Sequence, residues 1–296
     1  MDKILEIIKN AYSGYDNYLR HEIMNPAWGN YFYALIGISV LVWGLEMLFP
    51  LRKKQPTFRK GFWLDMFYMF FNFFMPNLII LIVLSEITAH LFNKELAVVG
   101  LSLSKFQLVN INAMPKLLGI FIFFIVTDFV QWNTQRLLHR IEFFWNIHKV
   151  HHSVKQMGFA AHLRYHWMES IVYKSLLYVL LAIISGLQAQ DVILVHFLAI
   201  TIGHLNHANI GWNYGALKYI FNNPKMHIWH HSKKIPNQSG VNFRISLSVW
   251  DYLFKTNYIL ADGRDIELGF TDDENFHNNF IKQEIFPVKI KLWSIL

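Results

Sequence analysis

Two stretches of the chain, HKVHH at 148–152 and HIWHH at 227–231, share one form: histidine, two spacers, two histidines. Histidine fills 15 of 296 positions, so counting windows gives roughly 0.04 chance copies of H-x-x-H-H per chain. Two copies demand a cause. Composition does not supply it, because twelve of the fifteen histidines lie between His139 and His231. On a helix, positions i, i+3 and i+4 fall on one face. His148, His151 and His152 are thus expected to aim three imidazoles at one point, and His227, His230 and His231 to do the same. Any fold open to this chain must bring the two segments to one place.

Neutral imidazole is the commonest metal ligand, and clustered imidazoles repel when protonated. A metal ion stabilises such a cluster by replacing the protons. His139, His162 and His166 surround the first copy, and His204 and His207 precede the second. Together they offer more nitrogen donors than one tetrahedral ion uses, so two metals are expected. Calcium and magnesium prefer oxygen. The zinc-protease motif H-E-x-x-H is absent. Iron, zinc, copper and nickel all suit imidazole, so ligand type leaves them open. Soluble di-iron bundles use Glu with Glu-x-x-His, a different donor set.

The rest of the chain points to a bilayer. Apolar residues make up 54%, aromatics 17% and charged residues only 16%, against about 25% charged in ordinary globular domains. Membrane-length apolar runs occur at 31–48, 63–92 and 117–132, the second with a kink-permitting Pro76. The run 170–207 is interrupted by SGLQAQD and reads as two helices in a tight hairpin. The formal charge is +7, yet no basic stretch with interleaved polar readers appears, so nucleic acid is not expected as a partner. The loop LRKKQPTFRK, with Arg52, Lys53, Lys54, Arg59 and Lys60, is expected in the cytoplasm by the positive-inside tendency. Counting crossings from it puts both H-x-x-H-H copies on that same side. The N-terminus lacks the pattern of a cleaved signal peptide. With no cysteine, thiolate nucleophiles, disulfides and iron–sulfur clusters are excluded. The expectation is an all-α, multi-pass transmembrane protein with a histidine-rich dimetal cap at its cytoplasmic face.

The runs TDFVQWNTQRLLHRIEFFWNIHKVHHS, HLRYHWMES, HANIG, NPKMHIWHHS and NFRISLSVWDYLFKT occur in order over roughly residues 120–256. In this the chain resembles the sterol desaturase/fatty acid hydroxylase superfamily. The resemblance implies an integral-membrane oxidoreductase whose histidine-bound di-iron centre uses O₂ to hydroxylate or desaturate lipid C–H bonds. It implies metal ligation by His139, His148, His151, His152, His207, His227, His230 and His231. The family opens with H-x-x-x-H; His139 matches its second histidine, but Gln135 stands at the first. A neighbour such as His166 or His204 is then expected to substitute, or one metal has a changed shell. Arg164, His166 and Glu169 match an R-x-H-x-x-E element beside the site, while Asn242, Trp250, Asp251, Phe254 and Thr256 fit a closing motif in which Arg244 and Lys255 replace glycines.

Other roles stay open at this point. His139 and His207 are ligands or orient ligands; His204 is a ligand or a core histidine; His162 and His166 lean toward supporting roles. His196 is expected to be a satisfied buried group. Asp128, inside a span, needs a partner, either a ligand histidine or Arg136 or Arg140. Asp251 is an acceptor near the ligands or a turn residue. The chain divides into upstream spans (1–116), a hydroxylase-like catalytic segment (117–256) and a polar cytoplasmic tail (257–296). No dinucleotide fingerprint is present, so electrons must come from a separate donor protein. The rival readings are an ether-lipid-cleaving monooxygenase and, from another class, a metal transporter or haem-bearing membrane protein.

Overall fold

The structure, a computed structural model, describes residues 2–27, 29–74, 107–236 and 240–293. Ten α-helices occupy most of them: α1 (Asp2–Met24), α2 (Tyr31–Leu48), α3 (Phe62–Phe74), α4 (Lys116–Arg140), α5 (Glu142–His152), α6 (Trp167–Ile183), α7 (Ala189–His207), α8 (Pro224–His227), α9 (Val249–Leu253) and α10 (Phe280–Trp293). The strands β1 (Val109–Asn110) and β2 (Ile184–Ser185) form one short parallel pair, with Val109 opposite Ile184.

Among the described residues three helices are long and apolar enough to cross a bilayer: α2, α4 and α7. Local chemistry sets their ends. The Asn30 side chain accepts from the Tyr33 N–H and caps α2. Gln188 and Asp191 form a reciprocal capping box on α7. The apolar run read as 117–132 continues as helix to Arg140, which carries His139 with it. The break at SGLQAQD is real, with α6 and α7 on either side of it. Of the run 63–92, the part before residue 75 is α3; the remainder, including Pro76, lies outside the described residues.

The bundle α2–α3–α7 packs through Leu35, Met69, Leu163 and Ile200. A second cluster, Ile111, Phe123, Leu180, Ile184 and Val195, joins α4 to the α6–α7 hairpin at its far end. A third differs from the sequence expectation. Leu51, Val154, Met157, Ile228, Trp229 and Leu268 pack together, with Tyr258, Ile259 and Ile266 against them. The segment expected as a polar tail therefore folds back onto the histidine-bearing elements. Full burial of a side chain such as Leu268 is favourable by roughly 1.5–3 kcal/mol, and polar ties accompany it. The Arg52 guanidinium donates to the carbonyls of Gly263, Arg264 and Ile266, and Asp273 pairs with Lys155 and Lys233. Further on, the Tyr68 hydroxyl donates to Gln283 Oε1 at 3.0 Å. Two of the five basic residues of the 51–60 loop are thus spent inside the protein: Arg52 here, and Arg59 on buried Asp65.

Candidate metal centre

α5 delivers the first H-x-x-H-H at its C-terminal end, and the second begins on α8 and continues as non-α turns through His231. A helix carrying all three histidines of the second motif is not formed; Asn223 caps a four-residue helix with Pro224 at its first turn. The histidines of one motif do not aim at one point. They separate into two groups whose nitrogens each lie within 4.8 Å of one another: His139, His148, His152 and His230 in the first, His151, His207, His227 and His231 in the second.

Helical geometry gives the reason. At 3.6 residues per turn, i and i+4 differ by about 40°, while i+3 and i+4 differ by about 100°. His148 and His152 therefore share the first group, and His151 points away to the second. In the other motif the split is mirrored: His227 and His231 go to the second group and His230 crosses to the first. Each motif gives a pair to one group and a single imidazole to the other. All eight are buried.

The supporting hydrogen bonds fix which nitrogen faces inward. A carbonyl or carboxylate can only accept, so a ring nitrogen against it must carry the proton. His151 Nδ1–H donates to the Arg164 carbonyl at 3.0 Å, and His207 Nδ1–H to the Gly203 carbonyl at 2.8 Å. His230 Nδ1–H donates to the Val241 carbonyl at 2.9 Å, and His148 Nδ1 lies 2.9 Å from Glu169 Oε2. Each neutral ring then turns a bare Nε2 lone pair inward. His151 Nε2 and His207 Nε2 face each other at 3.2 Å, lone pair against lone pair, which only a cation between them makes favourable. The Nε2 atoms of His148 and His152, and both ring nitrogens of His231, are buried without a partner among the described residues. Such a set of orphaned lone pairs fits two metal ions.

Protonation is no substitute. Burial, with neighbouring imidazoles adding to it, pushes His151 down to about 3 from the ordinary 6.5. Burial likewise pushes His148 and His230 down to about 3. The linkage has a definite sign. Below pH 6.5 the unfolded chain takes up protons that the folded chain refuses, so stability falls as pH drops from about 6.5 toward about 3. Chelator-treated protein should therefore show a melting temperature that declines through this window. A flat profile would mean that these rings are solvated.

The other sequence candidates sort by location. Gln135 is buried, and its Oε1 has no partner. It lines a cavity of about 220 Å³ together with His151, His207 and His227 of the second group. His162 lines the same cavity, its ring 5.1 Å from that of His207. Gly203 permits this approach, since a Cβ there would sit 2.2 Å from the His162 ring. His204 turns aside: its Nδ1 lies 2.8 Å from His162 Nδ1 and its Nε2 3.1 Å from Ser39 Oγ. His166 also points away, its Nε2 donating to the Glu284 carbonyl at 2.7 Å. Neither His204 nor His166 replaces the histidine missing at 135.

Asp128 contacts neither a ligand histidine nor an arginine. It accepts from the N–H groups of Ser246 and Leu247 and from Trp250 Nε1, tying the closing loop to α4. Asp251 accepts from Trp132 Nε1 and the N–H groups of Phe243 and Arg244, two residues beyond the carbonyl that holds His230. Lys255, at a family glycine position, has φ +56°, and Asn242 has φ +54°, so the left-handed turn persists without glycine. His196 is not a buried group: it is exposed and borders the cavity, its ring tilted and 5.1 Å from that of Tyr31.

The sequence reading missed Asp65 and Arg59. Asp65, fully buried, pairs with Arg59 at 2.6 Å and Arg164 at 3.1 Å. Because the Arg164 carbonyl holds His151, this ion network braces the second group. An aspartate inside the apolar run FWLDMFYMFF was the available signal.

Residues 120–256 match the family model described as fatty acid hydroxylase. The chain is 26% identical over 157 residues to the ornithine lipid hydroxylase OlsE of Rhizobium tropici, covering 53% of this chain and 47% of that one. It is 26% identical over 174 residues to an alkylglycerol monooxygenase of Caenorhabditis elegans, covering 57% and 32%. The chain thus spans about half the length of the first relative and about a third of the second. No solved structure matches. The ordered motifs, the two four-histidine groups and the family match agree, and residues 120–256, a little under half of the chain, fit the sterol desaturase/fatty acid hydroxylase superfamily.

Proposed function

We propose that this protein is a multi-pass membrane oxidoreductase that hydroxylates or desaturates a lipid chain, sterol, fatty acyl or sphingolipid, with one iron ion in each four-histidine group and O₂ as co-substrate. The observation that carries the reading is the interleaved pair of buried imidazole groups with bare Nε2 lone pairs turned inward, bordering a cavity. Bound iron would supply the O₂-activating redox chemistry that unactivated C–H bonds require. The chain's own residues do the rest. Glu169 and the carbonyls of Arg164, Gly203 and Val241 hold the ligand rings in one tautomer. Only the second group borders the cavity, through His151, His207 and His227, so the substrate approaches from that side. Leu163, Leu177, Ala199 and Ile200 supply apolar wall that holds a hydrocarbon chain and keeps water out.

In this reading 117–256 is the catalytic unit, 1–116 contributes upstream helices, and 257–296 is a tail whose described part, up to Trp293, closes over the histidine-bearing elements. The centre faces the cytoplasm, as Lys53, Lys54 and Lys60 of the loop before α3 suggest, and a separate electron-donor protein delivers reducing equivalents. Ether-lipid cleavage is the second reading, favoured by the match to an alkylglycerol monooxygenase. A transporter is disfavoured, because the imidazoles gather at the ends of α4, α5 and α7 and not along a path at mid-membrane.

The test is metal analysis of full-length protein purified in detergent after expression in iron-supplemented medium, with lipid-dependent O₂ uptake measured on the same sample. About two iron ions per chain and uptake that needs both a reductant and a lipid are expected. Folded protein that takes up no metal would end the oxygenase reading.

A further inference from the structure

The cavity beside the second histidine group is not wholly apolar. On its α6 wall, Tyr173 and Lys174 both face it. The Tyr173 hydroxyl is buried with no hydrogen-bond partner among the described residues. Lys174 has no carboxylate partner there either, although lysines elsewhere in the protein do: Lys116 on Asp191, Lys155 and Lys233 on Asp273. A cation on the wall of a largely apolar cavity is costly to desolvate and gains from a counter-group. The unpartnered acceptors on the same lining, Gln135 Oε1 and Asn206 Oδ1, are uncharged, and the one carboxylate, Glu169, is tied to the His148 ring. Lys174 is the one lysine or arginine of the lining, and an anionic oxygen brought by the occupant would supply its missing counter-charge.

We infer that Lys174 and Tyr173 bind the anionic group, carboxylate or phosphate, of the lipid substrate, and so select acidic lipids over neutral ones. The inference rests on the lipid-oxidising reading and adds a substrate class to it. Position along α6 sharpens it. Lys174 lies five residues beyond Glu169, the partner of His148, which is about 7.5 Å along the helix axis. An acid group held at Lys174 would therefore sit within about two helical turns of the Glu169 that holds His148, and oxidation is expected near the polar end of the lipid. His196 borders the cavity from α7, its ring tilted against that of Tyr31, and adds no negative charge beyond that of Glu169.

The experiment is displacement of the fluorescent fatty acid cis-parinaric acid from full-length protein in a non-ionic detergent. The competitors are palmitic acid, palmitoyl lysophosphatidic acid and neutral monopalmitoylglycerol. In the wild type at least one acidic competitor should bind about tenfold more tightly than the neutral one, and the stronger of the two identifies carboxylate or phosphate. Lys174→Met should erase that preference and Lys174→Arg should keep it. Tyr173→Phe should reduce it several-fold, and this variant carries the test if Lys174→Met does not fold. Equal binding of acidic and neutral competitors by the wild type, or an unchanged preference in Lys174→Met or Tyr173→Phe, overturns the inference. Metal content is recorded in parallel. A wild type without metal would sink the oxygenase reading while leaving the anion preference to be judged by its own data.

Discussion

Alanine at both His148 and His230 should empty one metal site and leave the other at wild-type affinity. The two residues come from different motifs but belong to one four-histidine group, which is left with two ligands while the second group keeps all four. Alanine at both His148 and His151 should behave differently. These residues share a motif, yet each is drawn from a different group, so both groups fall to three ligands. Titration with a competing chelator separates the outcomes: one ion lost and one tightly held in the first variant, two ions weakened together in the second. If each motif held its own ion, the two results would be exchanged. Lipid oxidation should fall in both variants by more than the 10–100-fold that loss of a group orienting a ligand costs.

Asp65→Ala should cost about 3–5 kcal/mol of stability, the range for removing one partner from a buried charge network. Asp65 stands between two guanidiniums, Arg59 at 2.6 Å and Arg164 at 3.1 Å, and all three side chains are almost wholly buried. Without the carboxylate, two like charges face each other with no counter-ion. Against a total stability of typically 5–15 kcal/mol, that is enough to lower the melting temperature of purified protein visibly. The damage should reach the metal unevenly. Arg164 presents the carbonyl that holds His151, so affinity should drop at the second group and hold at the first. A loss of stability under about 1 kcal/mol would show that water screens these charges.

The sequence made some of this legible for identifiable reasons. α2 spans 31–48 as the apolar run does, because an Asn cap opens it and a polar loop follows. The break between α6 and α7 carries its own glycine and capping residues. The eight histidines were visible because residue type and spacing both encode them. Their division into two groups was not, since one-face reasoning blurs the 100° between adjacent residues. The backbone carbonyls that fix their tautomers leave no trace in residue type. Asp128 and Asp251 were seen as acids near the site, but their partners are loop N–H groups more than a hundred residues away or across a tight turn. The packed role of 257–293 was hidden because its apolar residues are sparse, and only the fold brings Leu268 beside Trp229.

His139 and His230 meet in one group although 91 residues separate them, and His151 meets His207 across 56. An ion held by either group would therefore also be a cross-link that closes a long loop of chain. The two cross-links overlap, because every motif contributes to both. Neither can form until α7 has returned its far end to α5, and once one has formed, most of the loop-closure entropy of the other has already been spent. Loading metal and locking the second half of the chain onto the first would then be coupled, and chelation should loosen the architecture, lowering its melting temperature, along with removing the chemistry.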